Sequence, residues 1–286
     1  MTRHWEHRYV DVGDVKAHYI ESPQQDETAV LVHGGGVNSS GELNYGAVMP
    51  YLGKEFHVVA VDIVGFGLTP GRGPQDYSAQ GQGDFLIGFI KTLGRPVHLG
   101  GNSAAGYLIQ YVAHEAPELV KSLIIINSGS GAIAERRDDT GDRYDPTWAV
   151  PSSLPTREAI REQLLAFYSN QTIVTDERVE RTFEMATHNY EFGQQRQEAM
   201  GKTSADRNRR LQYRGRHISE WAGELEMPVL MTWSRENRGC SPEQAMPLFN
   251  RLQNGEMHVM VNAGHHIQTE HPERWSGVVA GFIRSH

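Results

Sequence analysis

For its first 130 residues the chain alternates short apolar runs with amphipathic stretches, and that rhythm predicts most of its elements. Val15 to Glu21 and Ala29 to His33 read as strands, the second running into glycines. His57 to Asp62 (HVVAVD) is a β-branched run of the kind a strand buried on both faces shows. Ala79 to Leu93 carries apolar positions at helical spacing until Pro96 blocks further helix. Val97 to Leu99 is another strand and ends in Gly100-Gly101. A helix is expected just after Ser103, running to about His114 with Pro117 closing it, and Leu119 to Asn127 (LVKSLIIIN) is the next strand. Repetition of strand, helix and strand implies parallel pairing through right-handed crossovers. The expected class is therefore α/β, with a mostly parallel, doubly wound sheet.

The rhythm breaks between Gly131 and Leu225, where no convincing strand is found. That stretch holds a charge-rich run (Glu135 to Asp139), prolines at 146, 151 and 155, and helical periodicity in Arg157 to Tyr168 and Glu177 to His188. After Met227-Pro228 the alternation returns. Val229 to Trp233 and Met257 to Val261 read as strands, Pro242 to Leu252 and Pro272 to Ile283 as helices. The expected organisation is a core in two parts, residues 1–130 and 226–286, interrupted by a helical cap at 131–225. No internal repeat or low-complexity tract is visible.

Composition narrows the function classes. The 286 residues are 38% hydrophobic and 22% charged, enough apolar material to offset chain entropy. With 27 basic and 35 acidic side chains the net charge is −8, which gives no electrostatic footprint for nucleic acid or an anionic membrane. The longest apolar runs, such as Leu123 to Ile126, fall far short of the roughly 20 residues of a membrane span. The N-terminal residues alternate charge and ring, and no apolar signal segment follows them. The single cysteine, Cys240, admits no internal disulfide and no cysteine-based zinc site. A cytoplasmic protein acting on a small molecule is expected.

Four stretches carry candidate chemistry. In Gly101-Asn102-Ser103-Ala104-Ala105-Gly106 a serine stands on a strand-to-helix turn, which strains its backbone and exposes its hydroxyl. Small neighbours are needed there because strand and helix crowd together; Ala105 takes the place of the usual glycine, with Gly106 after it. Small-Ser-small triples alone are common packing, so the strand-turn-helix setting is what singles out Ser103. In His33-Gly34-Gly35-Gly36, at the end of a strand, glycines let backbone amides approach a ligand. An oxyanion hole would take one amide from that loop, Gly35, and one from the residue after the serine, Ala104. Gly34 counts with the substrate-contacting residues. Neither glycine cluster reads GxGxxG, so a dinucleotide is a poor rival. In Asn262-Ala263-Gly264-His265-His266 a histidine follows the last strand, in the chain order serine, acid, histidine. His265 is the candidate general base and His266 its runner-up. No third ligand at helical spacing makes the pair a metal site.

The fourth stretch, Trp233-Ser234-Arg235-Glu236-Asn237-Arg238, is where an acid would orient the imidazole. The residue in register is Asn237. In a serine enzyme an aspartate-to-asparagine change costs about 10⁴ in kcat, roughly 5 kcal/mol. Three readings are open: Asn237 orients a base with a less demanding task, Glu236 turns inward instead, or the acid has been removed deliberately. The register favours the first.

These stretches resemble the α/β-hydrolase family and, within it, the meta-cleavage product hydrolases, which split a carbon–carbon bond in 2-hydroxy-6-oxohexa-2,4-dienoates from aromatic degradation. The likeness rests on HGGGVNSSGELNY (33 to 45), DIVGFGLT (62 to 69), GGNSAAG (100 to 106), WSRENR (233 to 238) and AGHHIQTEHPERW (263 to 275). It covers the core and thins in the cap. It implies Ser103 as nucleophile, His265 as base, Gly35 and Ala104 as oxyanion donors, and Asn44 and Asn102 as polar residues flanking the dienoate. It implies no metal or organic cofactor, and a homo-oligomer, dimer or higher.

Three positions depart from the family pattern. Asn237 stands for the aspartate, and His266 for a tryptophan after the histidine. The cap motif resembling Thr175-Asp176-Glu177 is followed in the family by an arginine that grips the substrate carboxylate; the ungapped position is Thr182, with Arg181 beside it as the expected anchor. The resemblance implies attack on the distal ketone, an oxyanion held by two amides, and release of an acid and a 2-hydroxydienoate. An ester or lactone hydrolase using the same residues is the rival enzyme. A ligand-binding member attenuated at Asn237 is the rival outside enzymes.

Overall fold

The computed structural model describes residues 4–36, 39–133, 154–200, 204–237 and 239–286. Among them the strands are β1 (Glu6–Val12), β2 (Val15–Glu21), β3 (Thr28–Val32), β4 (His57–Val61), β5 (Val97–Asn102), β6 (Val120–Ile126), β7 (Gln212–Tyr213), β8 (Arg216–His217), β9 (Val229–Ser234) and β10 (Gly255–Met260). Eight of these make one sheet in the order β1-β2-β4-β3-β5-β6-β9-β10; β7 and β8 form a separate hairpin. From β4 to β10 along that order every pairing is parallel. At the other edge β2 runs antiparallel to both β1 and β4. The reason is local: β1 and β2 are joined by Gly13-Asp14 alone, with Gly13 at φ 60, and two residues can make only a hairpin.

The central strands are buried on both faces, and their side chains divide by alternation. In β3, Val30 and Val32 face one core while Ala29 and Leu31 face the other. In β6, Leu123 and Ile125 oppose Ile124 and Ile126 in the same way. The helices Ala79–Thr92, Ala105–Glu115 and Pro242–Phe249 cover the first face through Phe85, Leu86, Ile109, Val112 and Leu248. The helix Pro272–Ser285 covers the second through Trp275, Val279 and Phe282, helped by the short helix Met49–Leu52. This is the doubly wound α/β sheet that the alternation predicts. The helix begun at Pro242 stops at Phe249, short of the expected Leu252, with Asn250 as its C-cap.

The block between β6 and β9 is mainly helical, with Arg157–Phe167, Asp176–His188, Tyr190–Met200 and Ser204–Arg210. Its first two helices share a small core of Ile160, Leu164, Tyr168, Val174, Val179 and Ala186. The β7/β8 hairpin corrects the expectation of no strand here; it turns on Arg214 and Gly215, both at positive φ. The run Glu135 to Asp139 and the prolines at 146 and 151 lie outside the described residues. Several polar contacts tie the block to loops that follow carboxyl ends of strands. The Phe167 carbonyl accepts the His265 amide at 2.9 Å, and an Arg196 guanidinium N–H reaches the Gly65 carbonyl at 2.9 Å. Arg207 reaches the Gly129 carbonyl at 2.9 Å. In open α/β sheets ligands bind at that end of the strands.

His217, at the end of β8, is 4% exposed, and burial followed by the Arg207 charge holds its imidazole down at about 4. The unfolded chain protonates this histidine at its ordinary value of about 6.5, so it takes up a proton that the folded chain refuses. Stability therefore falls as pH drops from about 6.5 to about 4. Urea midpoints measured across that window are expected to decline, and a His217→Gln variant to decline less steeply. Equal slopes for the two proteins would contradict the buried neutral imidazole.

Candidate active site

Ser103 sits between the end of β5 and the helix Ala105–Glu115, at φ 57 and 8% exposed. A left-handed backbone is uncommon outside glycine, and such positions persist only where surrounding structure over-determines them. Here it does. The Ser103 amide donates to the Ile126 carbonyl at 3.0 Å, and the Ser103 carbonyl accepts from the Gly106 amide at 3.1 Å and from the Ser128 hydroxyl. A Cβ on Gly101 would lie 2.8 Å from the Ala105 carbonyl oxygen, and one on Gly106 would run into the Ser128 side chain. Ala105 itself packs into the core with no exposure, so the alanine in the usual glycine place is accommodated.

The glycine loop after β3 presses against this turn. A Cβ on Gly34 would stand 3.3 Å from the Ser103 Cβ, and one on Gly35 would stand 3.0 Å from the Ala104 Cβ. His33 sets the orientation of the loop. Its Nε2 accepts the Ile63 amide at 3.1 Å, so the proton lies on Nδ1, which donates to the Gly34 carbonyl at 2.6 Å. The carbonyl and the following amide of one peptide point in opposite directions. Tying the Gly34 oxygen back to His33 therefore turns the Gly35 N–H away from His33. Burial pushes the His33 imidazole below its ordinary value, which keeps it neutral in this role. Gly35 and Ala104, the expected pair of donors, are thus in side-by-side contact.

His265 lies on the loop after β10 and is 6% exposed. Asn127, at the end of β6, donates Nδ2 to the His265 carbonyl at 2.9 Å and to the Gly264 carbonyl at 3.2 Å. Asn102 Nδ2 reaches the same His265 carbonyl at 3.5 Å and the Ile126 carbonyl at 3.2 Å. The loop bearing the histidine is thus fastened to the strand end that precedes Ser103. The imidazole Nδ1 is 3.0 Å from Asn237 Oδ1. The amide that offers this oxygen is itself oriented: Nδ2 donates to the Cys240 carbonyl at 2.9 Å, and Oδ1 also accepts the Gly239 amide at 3.1 Å. An acceptor facing Nδ1 places the proton there and leaves the Nε2 lone pair for a base. Glu236 is exposed and accepts the Ala263 amide at 3.3 Å instead. Of the two candidates in this stretch, the structure sets Asn237 at the imidazole. Arg238 lies outside the described residues.

A residue of the stretch 263 to 275 with no role assigned from the sequence holds the histidine loop. Glu270 is 5% exposed, and its carboxylate accepts the amides of Gly264 at 2.7 Å, Ser169 at 2.8 Å and Asn170 at 2.9 Å. Burial raises its pKa while the three amides pull it down. The carboxylate clamps the chain just past Phe167 to the turn just before His265.

A small pocket beside this loop is lined by Ser39, Asn44, Arg178, Thr182 and His266, with Leu164, Phe167 and Tyr168 around them. Asn44 Nδ2 and Asn102 Oδ1 are buried without a hydrogen-bond partner, as groups awaiting a ligand would be. Burial, then the Arg178 charge, holds His266 at about 4, so it is neutral at physiological pH. Arg181, the expected carboxylate anchor, is not brought to this pocket. It pairs with Glu42 at 2.8 Å and is exposed. Thr182 lines the pocket as the register requires, and the cation beside it is Arg178, one helical turn earlier on the same face. No carboxylate among the described residues is in ion-pair contact with Arg178.

A family profile described as alpha/beta hydrolase fold matches residues 28–272. The 2-hydroxy-6-oxononadienedioate/2-hydroxy-6-oxononatrienedioate hydrolase of Paraburkholderia xenovorans (strain LB400) is 24% identical over 285 residues, 95% of this chain and 91% of that protein. The 2-hydroxy-6-oxo-6-(2'-aminophenyl)hexa-2,4-dienoic acid hydrolase of Metapseudomonas resinovorans is 24% identical, over 96% of this chain and 90% of its own. Among solved structures, the meta-cleavage product hydrolase CumD from Pseudomonas fluorescens IP01, complexed with acetates, superposes with a TM-score of 0.82 at 23% identity, covering 97% of each chain.

The acceptor that orients Asn237 makes one substitution informative. In Asn237→Asp a carboxylate oxygen replaces the N–H donor 2.9 Å from the Cys240 carbonyl, which also accepts the Trp233 indole at 2.8 Å. Two acceptors then face each other, and a loss of about 1–3 kcal/mol in stability is expected. The new charge beside Nδ1 raises the His265 pKa, so the acid limb of the pH–rate profile moves to higher pH. A variant as stable as the parent would show that the Cys240 carbonyl does not fix the amide.

Proposed function

The chain belongs to the alpha/beta hydrolase fold family, and on that premise we propose that it hydrolyses a carbon–carbon bond in a vinylogous diketone formed by aromatic ring fission. The observation that carries the reading is the contact of His265 with Asn237, an uncharged amide where an acid is expected, beside the Ser103 turn. An amide can hold a tautomer but cannot neutralise an imidazolium, so the pair suits a reaction in which the base need not stay charged for long. Ketonisation of a dienol is such a step, and where it is the slow one the missing carboxylate costs less than in ester cleavage, whose slow acyl transfer needs the imidazolium. The relatives that act on 2-hydroxy-6-oxo-dienoates agree with it.

In this mechanism the substrate carboxylate faces Arg178, with Asn44 and a neutral His266 beside it, and Gly34 and Asn102, which adjoin Ser103, flank the dienoate. His265 Nε2 assists transfer of the dienol proton to carbon and then removes a proton from Ser103 or from a water. The oxygen so activated bonds to the distal ketone carbon, and the carbonyl electron pair becomes an oxyanion against the Gly35 and Ala104 amides. Collapse of that oxyanion breaks the carbon–carbon bond. The electron pair leaves on the dienol fragment, which takes back the proton held by His265 and departs as a 2-hydroxydienoate; the other fragment is the acid itself where water attacked, or a Ser103 ester that a water activated by His265 then hydrolyses to the acid. The chemistry draws on no metal or organic cofactor. Residues 131–225 act as the cap over this site, with 1–130 and 226–286 as the core. The single cysteine, the buried Cys240, fits a reducing, cytoplasmic setting, and a homo-oligomer belongs to the same proposal.

A coloured ring-fission dienoate assayed beside p-nitrophenyl esters tests the reading. Loss of the dienoate chromophore, with slower ester cleavage, is expected. Ser103→Ala should reduce turnover by about 10³-fold or more while the protein stays folded, because alanine fits the turn and loses only the hydroxyl. Faster esters than dienoate would make the chain an esterase. Turnover of neither would make it a binding protein.

A further inference from the structure

The inner pocket holds about 40 Å³, room for a few waters or one carboxylate. Outside it, between the cap and the start of the core, lies a groove of about 780 Å³. Leu43 and Arg178 line both spaces, so these two side chains are the partition between them. Helix geometry explains the arrangement. Around the helix Asp176–His188, Arg181, Arg178 and Thr182 follow one another at steps of about 60° and 40°. Arg181 therefore lines the groove, Thr182 the inner pocket, and Arg178 stands on the border. Trp5, Ala47 and Ile173 give the groove apolar walls; Arg178 and Arg181 give it cations, with Glu42 and Glu177 opposite in charge.

An ion pair crosses this groove. Arg181 Nη2 donates to Glu42 Oε1 at 2.8 Å. Among the described residues it is the ion pair that this helix makes to the core; Arg157–Glu180 and Arg161–Asp176 stay within the cap. The core end is a fixed post. Glu42 belongs to the short helix Gly41–Tyr45, whose Gly41 amide donates to Asp62 Oδ1 at 2.6 Å. A Cβ on Gly41 would stand 2.3 Å from the Ala60 carbonyl oxygen, so this helix cannot shift toward the sheet, and His7 Nε2 lies 4.0 Å from the second Glu42 oxygen. The cap end is an exposed arginine, 43% accessible, on a helix that packs in the small core of the cap itself. A pair this exposed is worth little and breaks readily, which suits a latch and not a strut. We propose that this groove is the entrance to the site for an organic carboxylate, that Arg178 meets the acid group from both spaces, and that Glu42–Arg181 is the latch across the way. The inference rests on the hydrolase reading only for the fate of the ligand; the passage stands on the two cavities and their shared wall.

A passage has a kinetic signature that a binding contact lacks. The barrier on the way in is also the barrier on the way out, so altering it changes kon and koff by one factor and leaves Kd alone. Sorbate (hexa-2,4-dienoate) carries the acid and the diene without the ketone, so it binds without turnover. Trp5 in the groove wall makes stopped-flow tryptophan fluorescence the reporter. Glu42→Gln and Arg181→Gln are each expected to raise kon and koff together by about two- to fivefold, the range a partly exposed pair is worth. The double variant should go no further, because both changes open one latch. Ala47→Trp narrows the groove, so both constants fall by about tenfold while Kd stays within about twofold of the parent. Arg178→Gln instead weakens Kd by about tenfold or more. The latch variants suffice if Ala47→Trp does not fold. Unchanged rates in those variants would overturn the proposal, as would a change in koff alone. So would a protein that binds no sorbate by calorimetry. If the dienoate assay is silent while sorbate shows these rates, the hydrolase reading fails and the passage remains; turnover with unaltered sorbate rates gives the reverse.

Discussion

A serine forced into a left-handed backbone is the constraint around which this fold is arranged. Ser103 keeps φ 57 because three partners hold it: the Ile126 carbonyl from β6, the Gly106 amide from its own helix and the Ser128 hydroxyl. Each of them needs a neighbour in place. β6 must pair in register with β5, and the helix must lie close enough to exclude side chains at Gly101 and Gly106. The glycine loop must then fold down until Gly34 and Gly35 touch Ser103 and Ala104. Strain of this kind costs of order 1–3 kcal/mol, which the two packed faces of the sheet can carry.

The histidine is positioned by a separate set of contacts that converge on the same place. Asn127 and Asn102 hold its carbonyl, Phe167 holds its amide, and Glu270 holds the preceding glycine. Two of these come from the sheet and two involve the helical block, since Glu270 also grips Ser169 and Asn170. A shift of that block would therefore be felt at the imidazole. Asn237 adds orientation without charge. Its amide is turned by the Cys240 carbonyl so that an oxygen, and not a nitrogen, meets Nδ1.

Much of this was legible in the sequence. Val15–Glu21 forms the strand its pattern predicts, and the strand-turn-helix setting of Ser103 is found where the glycines and alanines place it. β1 left no pattern because Glu6, His7, Arg8 and Tyr9 are all exposed, so neither face of this edge strand alternates in polarity. The Gly13-Asp14 pair between apolar residues was the usable signal. Arg181 does not reach the pocket that Thr182 lines: it is turned about 100° from Thr182 on the helix and pairs with Glu42, whereas Arg178 lies within about 40° of Thr182. Arg196 was out of reach, because the Gly65 carbonyl it bonds lies 131 residues away in the chain, and Glu270, though it stands in the stretch 263 to 275, had its clamping role hidden by the 101 residues between it and Ser169.

The central claim is that a neutral amide fixes the tautomer of His265. Two-dimensional ¹⁵N NMR of the imidazole at neutral pH measures this directly. The account predicts a neutral ring protonated at Nδ1 and bare at Nε2. In Asn237→Ala, where that acceptor is lost, the proton should redistribute toward Nε2. A His265 ring found protonated at Nε2 in the unaltered protein would contradict the account, because Asn237 would then be offering its nitrogen and the base its wrong edge.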